Sequence, residues 1–156
     1  MKNKKILLVG GSGYIGSHIC ISLIRKGYKP IIFNNFSNSF QSKVKNIEKF
    51  VNQDIDFFEG DILDKNHIKK IFTKYKFSGV IHLAALKSVS ESNANYIEYY
   101  QNNICGLINL IDVMKENEVK KLIFSSSATV YGDEATTPVN ESMMLQSNNT
   151  YGFTKI

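Results

Sequence analysis

The sequence has two cysteines, a single arginine and no long apolar run, and each shortage removes a class of protein. Cys20 and Cys105 stand far apart and make no disulfide framework, so a reducing cytoplasm is the expected home. A bilayer-crossing helix needs about 20 consecutive apolar residues, and nothing here approaches that. The basic stretch Met1–Lys5 is followed only by Ile6–Val9 before glycines intervene, too short for a secretory signal. A net charge of +5 invites a nucleic-acid reading. Yet 18 of the 19 basic residues are Lys and Arg25 stands alone, whereas base and phosphate readers favour the planar fork of Arg. The lysines are scattered, with short runs at Lys4-Lys5, Lys69-Lys70 and Lys120-Lys121, and no aromatics are interleaved. A solvated surface is expected, with no nucleic-acid partner. The 16 asparagines point the same way, to a bias spread over the whole chain. His18, His67 and His82 have no metal-ligand spacing, so no metal is expected. Ser127 has no G-x-S-x-G context, which removes a serine hydrolase.

What remains is a globular chain of 156 residues, 43% apolar and 21% charged, long enough to bury one core. Short aliphatic runs alternate with helical periodicity. Strands are expected at Ile6–Val9, Pro30–Phe33, Ile55–Phe58, Val80–Leu83 and Leu122–Phe124. Helices are expected over Tyr14–Lys26, stopped by Gly27, over Ser42–Val51, and after Asp64, with Ile68, Ile71, Phe72 and Tyr75 aligned. A long helix is expected over Tyr96–Asn117, with Tyr100, Ile104, Leu107, Ile111 and Met114 on one face. Asp133–Asn149 reads as a polar connection, and Tyr151–Ile156 as the first turns of a helix. The alternation specifies an α/β fold, a doubly wound parallel sheet with strand order 3-2-1-4-5.

Three motifs fall at the carboxyl ends of these strands, the edge where such sheets bind ligands. Gly10-Gly11-Ser12-Gly13-Tyr14-Ile15-Gly16 follows a strand and opens an amphipathic helix. Its glycines allow a tight turn and a close backbone approach, and a pyrophosphate would sit at the positive helix end. The acidic ribose ligand expected about 20 residues on is replaced by Asn34-Asn35. Asn34 can bond a ribose hydroxyl or serve as a turn residue, and it lacks the charge that repels a 2′-phosphate. With no Arg nearby to favour that phosphate, NAD is the expected cofactor. Asp61 can accept from an adenine amino group or shape the turn before Asp64, and Lys87 is either a cofactor contact or a solvated loop lysine. The third motif is Tyr151-x-x-x-Lys155. A spacing of four puts both side chains on one helix face, and an ammonium beside a phenol favours the phenolate. That pair suits general acid–base work in an alcohol–ketone redox step, with the Ser127 hydroxyl able to bridge substrate and tyrosine.

These residues together resemble the extended short-chain dehydrogenase/reductase family and, within it, the amino-terminal part of the UDP-glucose 4-epimerases. The resemblance rests on Gly10–Ser17 (GGSGYIGS), Glu59–Ile62 (EGDI), Val80–Ser92 (VIHLAALKSVSES), Glu98–Asn103 (EYYQNN), Ile123–Asp133 (IFSSSATVYGD) and Tyr151–Lys155. It implies an NAD-binding Rossmann domain and interconversion of UDP-glucose and UDP-galactose. Tyr151 would take the proton of the sugar 4-hydroxyl with help from Ser127, NAD would accept and return the C4 hydride, and Lys155 would hold the nicotinamide ribose. The implied cofactor contacts begin with Gly10, Gly13, Tyr14, Ile15 and Gly16 in the glycine turn. Asn34 and Asn35 follow at the second strand, and Asp61 and Ile62 at the third. Leu83, Ala84, Ala85 and Lys87 come from the fourth strand, and Asn102 or Asn103, near the nicotinamide or substrate phosphate, from the long helix. Ser125, Tyr151 and Lys155 complete the set. The sugar nucleotide would meet Lys87, Ser127 and Tyr151.

Two departures stand out. Asn34 occupies a position where the family usually has Asp. The pattern also stops at Ile156, so the expectation is a Rossmann domain spanning 1–156, cut short in the catalytic helix, without a sixth strand or substrate domain and impaired in activity. Homodimers through the long helix are usual in the family and doubtful for so short a chain. Two other readings compete: a related dehydratase and a dinucleotide-binding module without catalysis. The dehydratases place an acidic pair where this chain has Ala128 and Thr129, which cannot act as acid and base.

Overall fold

Aliphatic strands with no polar side would be insoluble alone, and here both faces of the sheet are covered. The computed structural model describes residues 4–156; the first three residues of the basic stretch Met1–Lys5 lie outside it. Five strands, β1 (Lys5–Val9), β2 (Lys29–Asn34), β3 (Phe57–Glu59), β4 (Gly79–His82) and β5 (Leu122–Phe124), form one all-parallel sheet in the order β3-β2-β1-β4-β5. Val9 pairs with Phe33 on one side and His82 on the other, and His82 with Phe124, so the carboxyl ends align along one edge.

Alternation within the strands sorts the core into two layers. Leu7, Val9, Ile31, Phe33 and Val80 face α3 (Lys65–Lys74) and the later helix α6 (Gly106–Glu116), burying Ile68, Ile71, Leu110 and Val113. Leu8, Ile32 and Ile81 face α1 (Tyr14–Arg25) and α2 (Ser42–Val51), burying Cys20, Val44 and Ile47. Each fully buried Leu or Ile contributes about 2 kcal/mol of transfer energy. Local signals set the helix ends. Tyr28 N–H donates to Leu23 O and Gly27 N–H to Ile24 O, a Schellman stop with Gly27 at φ +80°. The Asp64 carboxylate accepts from Asn66 N–H at 2.9 Å and caps α3. Tyr75, expected on the α3 face, is extended just past its end.

The long helix differs from expectation in both continuity and face. Val89–Ala94 forms a short α4, Tyr96–Tyr100 forms α5, Gln101–Cys105 is a π-helical turn, and α6 follows. The residues turned inward are Tyr99, Asn103, Gly106, Leu110 and Val113. The expected stripe lies about one residue round: Tyr100 and Ile111 are exposed, Ile104 and Leu107 half-buried, and only Met114 buried. The cause is Asn103, a polar residue that is 1% exposed because its amide is fully used (below). Apolar periodicity cannot register a buried asparagine. A 3₁₀ turn (Ala128–Tyr131) and a short helix α7 (Thr150–Phe153) complete the described chain.

Candidate active site at the carboxyl edge of the sheet

The chain leaves β1 toward α1 and leaves β4 in the opposite direction, which opens a cleft of ≈ 580 Å³ at the strand ends. Gly10 begins one wall at φ +81°, with its N–H on Phe33 O at 2.8 Å. A Cβ there would stand 2.7 Å from Ala84 N, and one on Gly16 would stand 2.5 Å from Gly10 O. The sheet and the first turn of α1 can therefore meet only through glycine. Gly13 precedes α1 without a side-chain cap, and the first turn carries no acidic residue. The unpaired N–H groups of a 12-residue helix are thus open to an anion in the cleft, which Gly10, Gly13, Tyr14, Ile15 and Gly16 all line.

The loop after β2 forms the second wall. Phe36 takes a left-handed conformation (φ +57°) and packs edge-on against Phe57. This bends the chain so that Asn34, Asn35, Ser37, Asn38 and Ser39 line the cleft, with Lys43 from α2. Asn34 Nδ2 donates to Ser39 Oγ at 3.0 Å, and Ser39 Oγ lies 2.7 Å from the buried Ser12 Oγ. Asp61 is engaged in the turn: its carboxylate accepts from Asn35 Nδ2 (3.0 Å) and Leu63 N–H (2.8 Å). Ile62 lines the cleft and Asp61 does not. Ser37, Asn38, Ser39 and Lys43 were not singled out from the sequence; the only available signal was that strand-end loops line such clefts.

The third wall is the loop after β4. Leu83 and Ala84 both donate to Val9 O, and with Ala85 and Lys87 they line the cleft. Asn103 holds this loop, accepting from Leu86 N–H at 2.9 Å and donating to Leu86 O at 3.0 Å and Thr154 Oγ1 at 2.9 Å. Adjacent residues of the π turn divide the work: Asn103 points into the protein and Asn102 into the cleft.

β5 and α7 bring up the remaining residues. Ser125 lines the cleft, and its carbonyl accepts from Lys155 Nζ at 3.0 Å. Ser126 Oγ donates to Lys155 O at 2.9 Å. The Lys155 ammonium is buried, 4.6 Å from the Phe124 ring centroid and 5.9 Å from that of Tyr151. Burial pulls its pKa down to about 8. Ser127 Oγ accepts from Thr129 N–H and Thr129 Oγ1 and caps the 3₁₀ turn. Tyr151 N–H is held by the buried Ser92 Oγ at 3.1 Å, and Asn149 caps α7 through Gly152 N–H. Ser127, Tyr151 and Lys155 lie beyond the cleft lining itself. His82, at the end of β4, is 1% exposed with no protein partner for either ring nitrogen. Burial, and secondarily the Lys155 charge, lowers its pKa to about 4, so it is neutral at pH 7.

Among the described residues no group of three or more His, Cys, Asp or Glu could hold a metal, and no helix is long and apolar enough to cross a membrane. A sequence profile described as GDP-mannose 4,6-dehydratase matches residues 7–156. The chain belongs to this family of extended short-chain dehydrogenases/reductases. Its similarities within the family include UDP-glucose 4-epimerases. It is 45% identical over 152 residues to the UDP-glucose 4-epimerase of Dictyostelium discoideum, covering 97% of this chain and 44% of that one. With the UDP-glucose 4-epimerase of Bacillus subtilis it shares 42% identity over 97% of this chain and 44% of the relative. The structure of UDP-glucose 4-epimerase from Bifidobacterium longum in complex with NAD+ and UDP superposes with a TM-score of 0.94 at 38% identity, over 97% of this chain and 46% of that one. The chain thus spans less than half the length of the relatives it matches.

Proposed function

We propose that this chain is the NAD-binding domain of a UDP-glucose 4-epimerase, interconverting UDP-glucose and UDP-galactose at sugar C4. One observation carries the reading: the uncapped amino terminus of α1, the Ser125–Ser127 run and the buried Lys155 of Tyr151-x-x-x-Lys155 converge on one strand edge. The relatives' identity supports the sugar nucleotide, and the NAD+ bound to the Bifidobacterium longum enzyme supports the cofactor.

The residues fit a dinucleotide. The glycine turn lets the chain pack where a Cβ would strike Ala84 or Gly10 O, which sets the uncapped start of α1 at the cleft for a pyrophosphate. Gly10, Gly13, Tyr14, Ile15 and Gly16 hold the pyrophosphate, Asn34, Asn35 and Ile62 the adenosine end, and Leu83, Ala84, Ala85, Lys87, Asn102 and Ser125 the middle and nicotinamide end, while Asp61 acts from behind by accepting from Asn35. When bound, the dinucleotide supplies a hydride acceptor at sugar C4 that returns the hydride to the other face. Tyr151 removes the 4-hydroxyl proton and restores it after the 4-keto sugar has turned over. Ser127 bridges that hydroxyl and Tyr151. Lys155 places positive charge beside the phenol and reaches the nicotinamide ribose. Lys87 and Asn102 meet the substrate phosphates. Ala128 and Thr129 offer no acid–base pair for dehydration, which favours epimerisation over elimination despite the family's name.

The exposed apolar side chains of α5 and α6, among them Tyr96, Ile97, Tyr100, Ile108 and Ile111, support self-association through that face. Two free thiols, Cys105 exposed, suit a reducing compartment such as the cytoplasm. The test is turnover by a form extended to the relatives' length. UDP-galactose should convert to UDP-glucose, and Tyr151→Phe should lower kcat about 100-fold or more. An extended form that binds UDP-sugars but leaves C4 unchanged would overturn the assignment.

A further inference from the structure

The adenosine end of the cleft is built without the feature that makes such a site exclusive. A carboxylate at the end of β2 bonds the ribose hydroxyls and repels a 2′-phosphate. Here that position is Asn34, a neutral amide whose Nδ2 donates to Ser39 Oγ at 3.0 Å, a bond no carboxylate could donate. Around it the lining is Ser37, Asn38, Ser39 and Lys43: hydroxyls, an amide and one ammonium. Lys43 lies in the first turn of α2, a 10-residue helix with no acidic first-turn residue and no side-chain cap. The nearby carboxylates face elsewhere. Asp61 accepts from Asn35 and Leu63, and Glu59 from Gln41 Nε2 at 2.7 Å, and neither lines the cleft. Among the described residues the one carboxylate lining the cleft is Glu91, which comes from α4 beyond β4.

We propose that Asn34, Ser37, Ser39 and Lys43 form a subsite that accepts a 2′-phosphate, so that this chain takes NADP as well as NAD. The inference rests on the dinucleotide reading of the cleft and adds to it. The Lys43 ammonium supplies the counter-charge, the Ser37 hydroxyl turns from Asn35 Oδ1 and the Ser39 hydroxyl from Ser12 Oγ to donate to phosphate oxygens, and the neutral Asn34 removes the like-charge clash.

Calorimetric titration of the chain with NAD and with NADP tests it, with Asn34→Asp and Lys43→Gln alongside and thermal melts to verify folding. The unmodified chain should bind the two nucleotides within about tenfold of each other. Asn34→Asp should weaken NADP relative to NAD by about 100-fold. Lys43→Gln, an exposed substitution that folding tolerates, should weaken NADP relative to NAD by about tenfold. Binding of NAD alone, or a ratio that neither variant moves, overturns the subsite and leaves the dinucleotide reading standing. Binding of neither nucleotide overturns both.

Discussion

Asn103 and Thr154, 51 positions apart, share a buried hydrogen bond of 2.9 Å that ties the π turn to the end of α7. Because Asn103 also holds both backbone polar groups of Leu86, one amide fixes the loop after β4 and the end of α7 together. Replacing it with Leu strips both half-buried backbone groups of Leu86 of their partner and leaves Thr154 Oγ1 only its bond to Tyr151 O, at a cost of about 2–3 kcal/mol. The thermal midpoint should fall by roughly 5–10 °C, and amide exchange should quicken first at residues 150–154. An unchanged exchange pattern there would count against this linkage.

The glycines separate two effects. Gly10→Ala meets both a positive φ and backbone at 2.7 Å, so it should abolish dinucleotide binding and lower stability. Gly27 has nearly the same φ, +80°, but open space around it. Gly27→Ala should cost only the left-handed penalty, about 1–2 kcal/mol, and leave the affinity intact. Calorimetry and melting curves on the two variants make the comparison.

His82 predicts an acid limb. Its pKa is about 4 folded and near 6.5 unfolded, so between those values the unfolded chain binds the extra proton. Stability contributed by the neutral ring is complete above pH 6.5 and lost as pH falls toward 4, up to about 3 kcal/mol. His82→Phe should flatten this limb in urea titrations without lowering stability at pH 7, because no hydrogen bond is given up.

Lys155 predicts the alkaline counterpart. Burial makes its charge costly, with a folded pKa of about 8 against 10.5 unfolded. Between these values the unfolded chain again holds more protons, so stability rises from pH 8 to 10.5. Lys155→Met should abolish that rise. In the extended form the same substitution should cut turnover, and an unaffected kcat would remove Lys155 from the mechanism.

Much of the fold is legible in the residues themselves. β5 and α2 lie at their expected limits, and the strand order follows from alternating aliphatic strands and amphipathic helices. The glycine turn is equally local, since a positive φ and a missing Cβ are properties of single residues. The face of the long helix was not legible. Its stripe of Tyr100, Ile104 and Ile111 is as apolar as a buried one, and only the amide of Asn103, satisfied by Leu86 and Thr154, turns the helix to bury the other side.

The sequence by itself therefore determined the sheet, its order and the edge at which the cleft opens, because periodicity and glycine act within a few residues. The tertiary structure alone decided how residues distant in the chain share one cleft. It turned the Ser37–Ser39 loop and Lys43 into the cleft, committed Asp61 to Asn35, and buried the Lys155 charge beside Phe124 and His82. Those outcomes depend on which polar groups find partners once water is excluded, and partners 20 to 60 residues away leave no periodic trace along the chain.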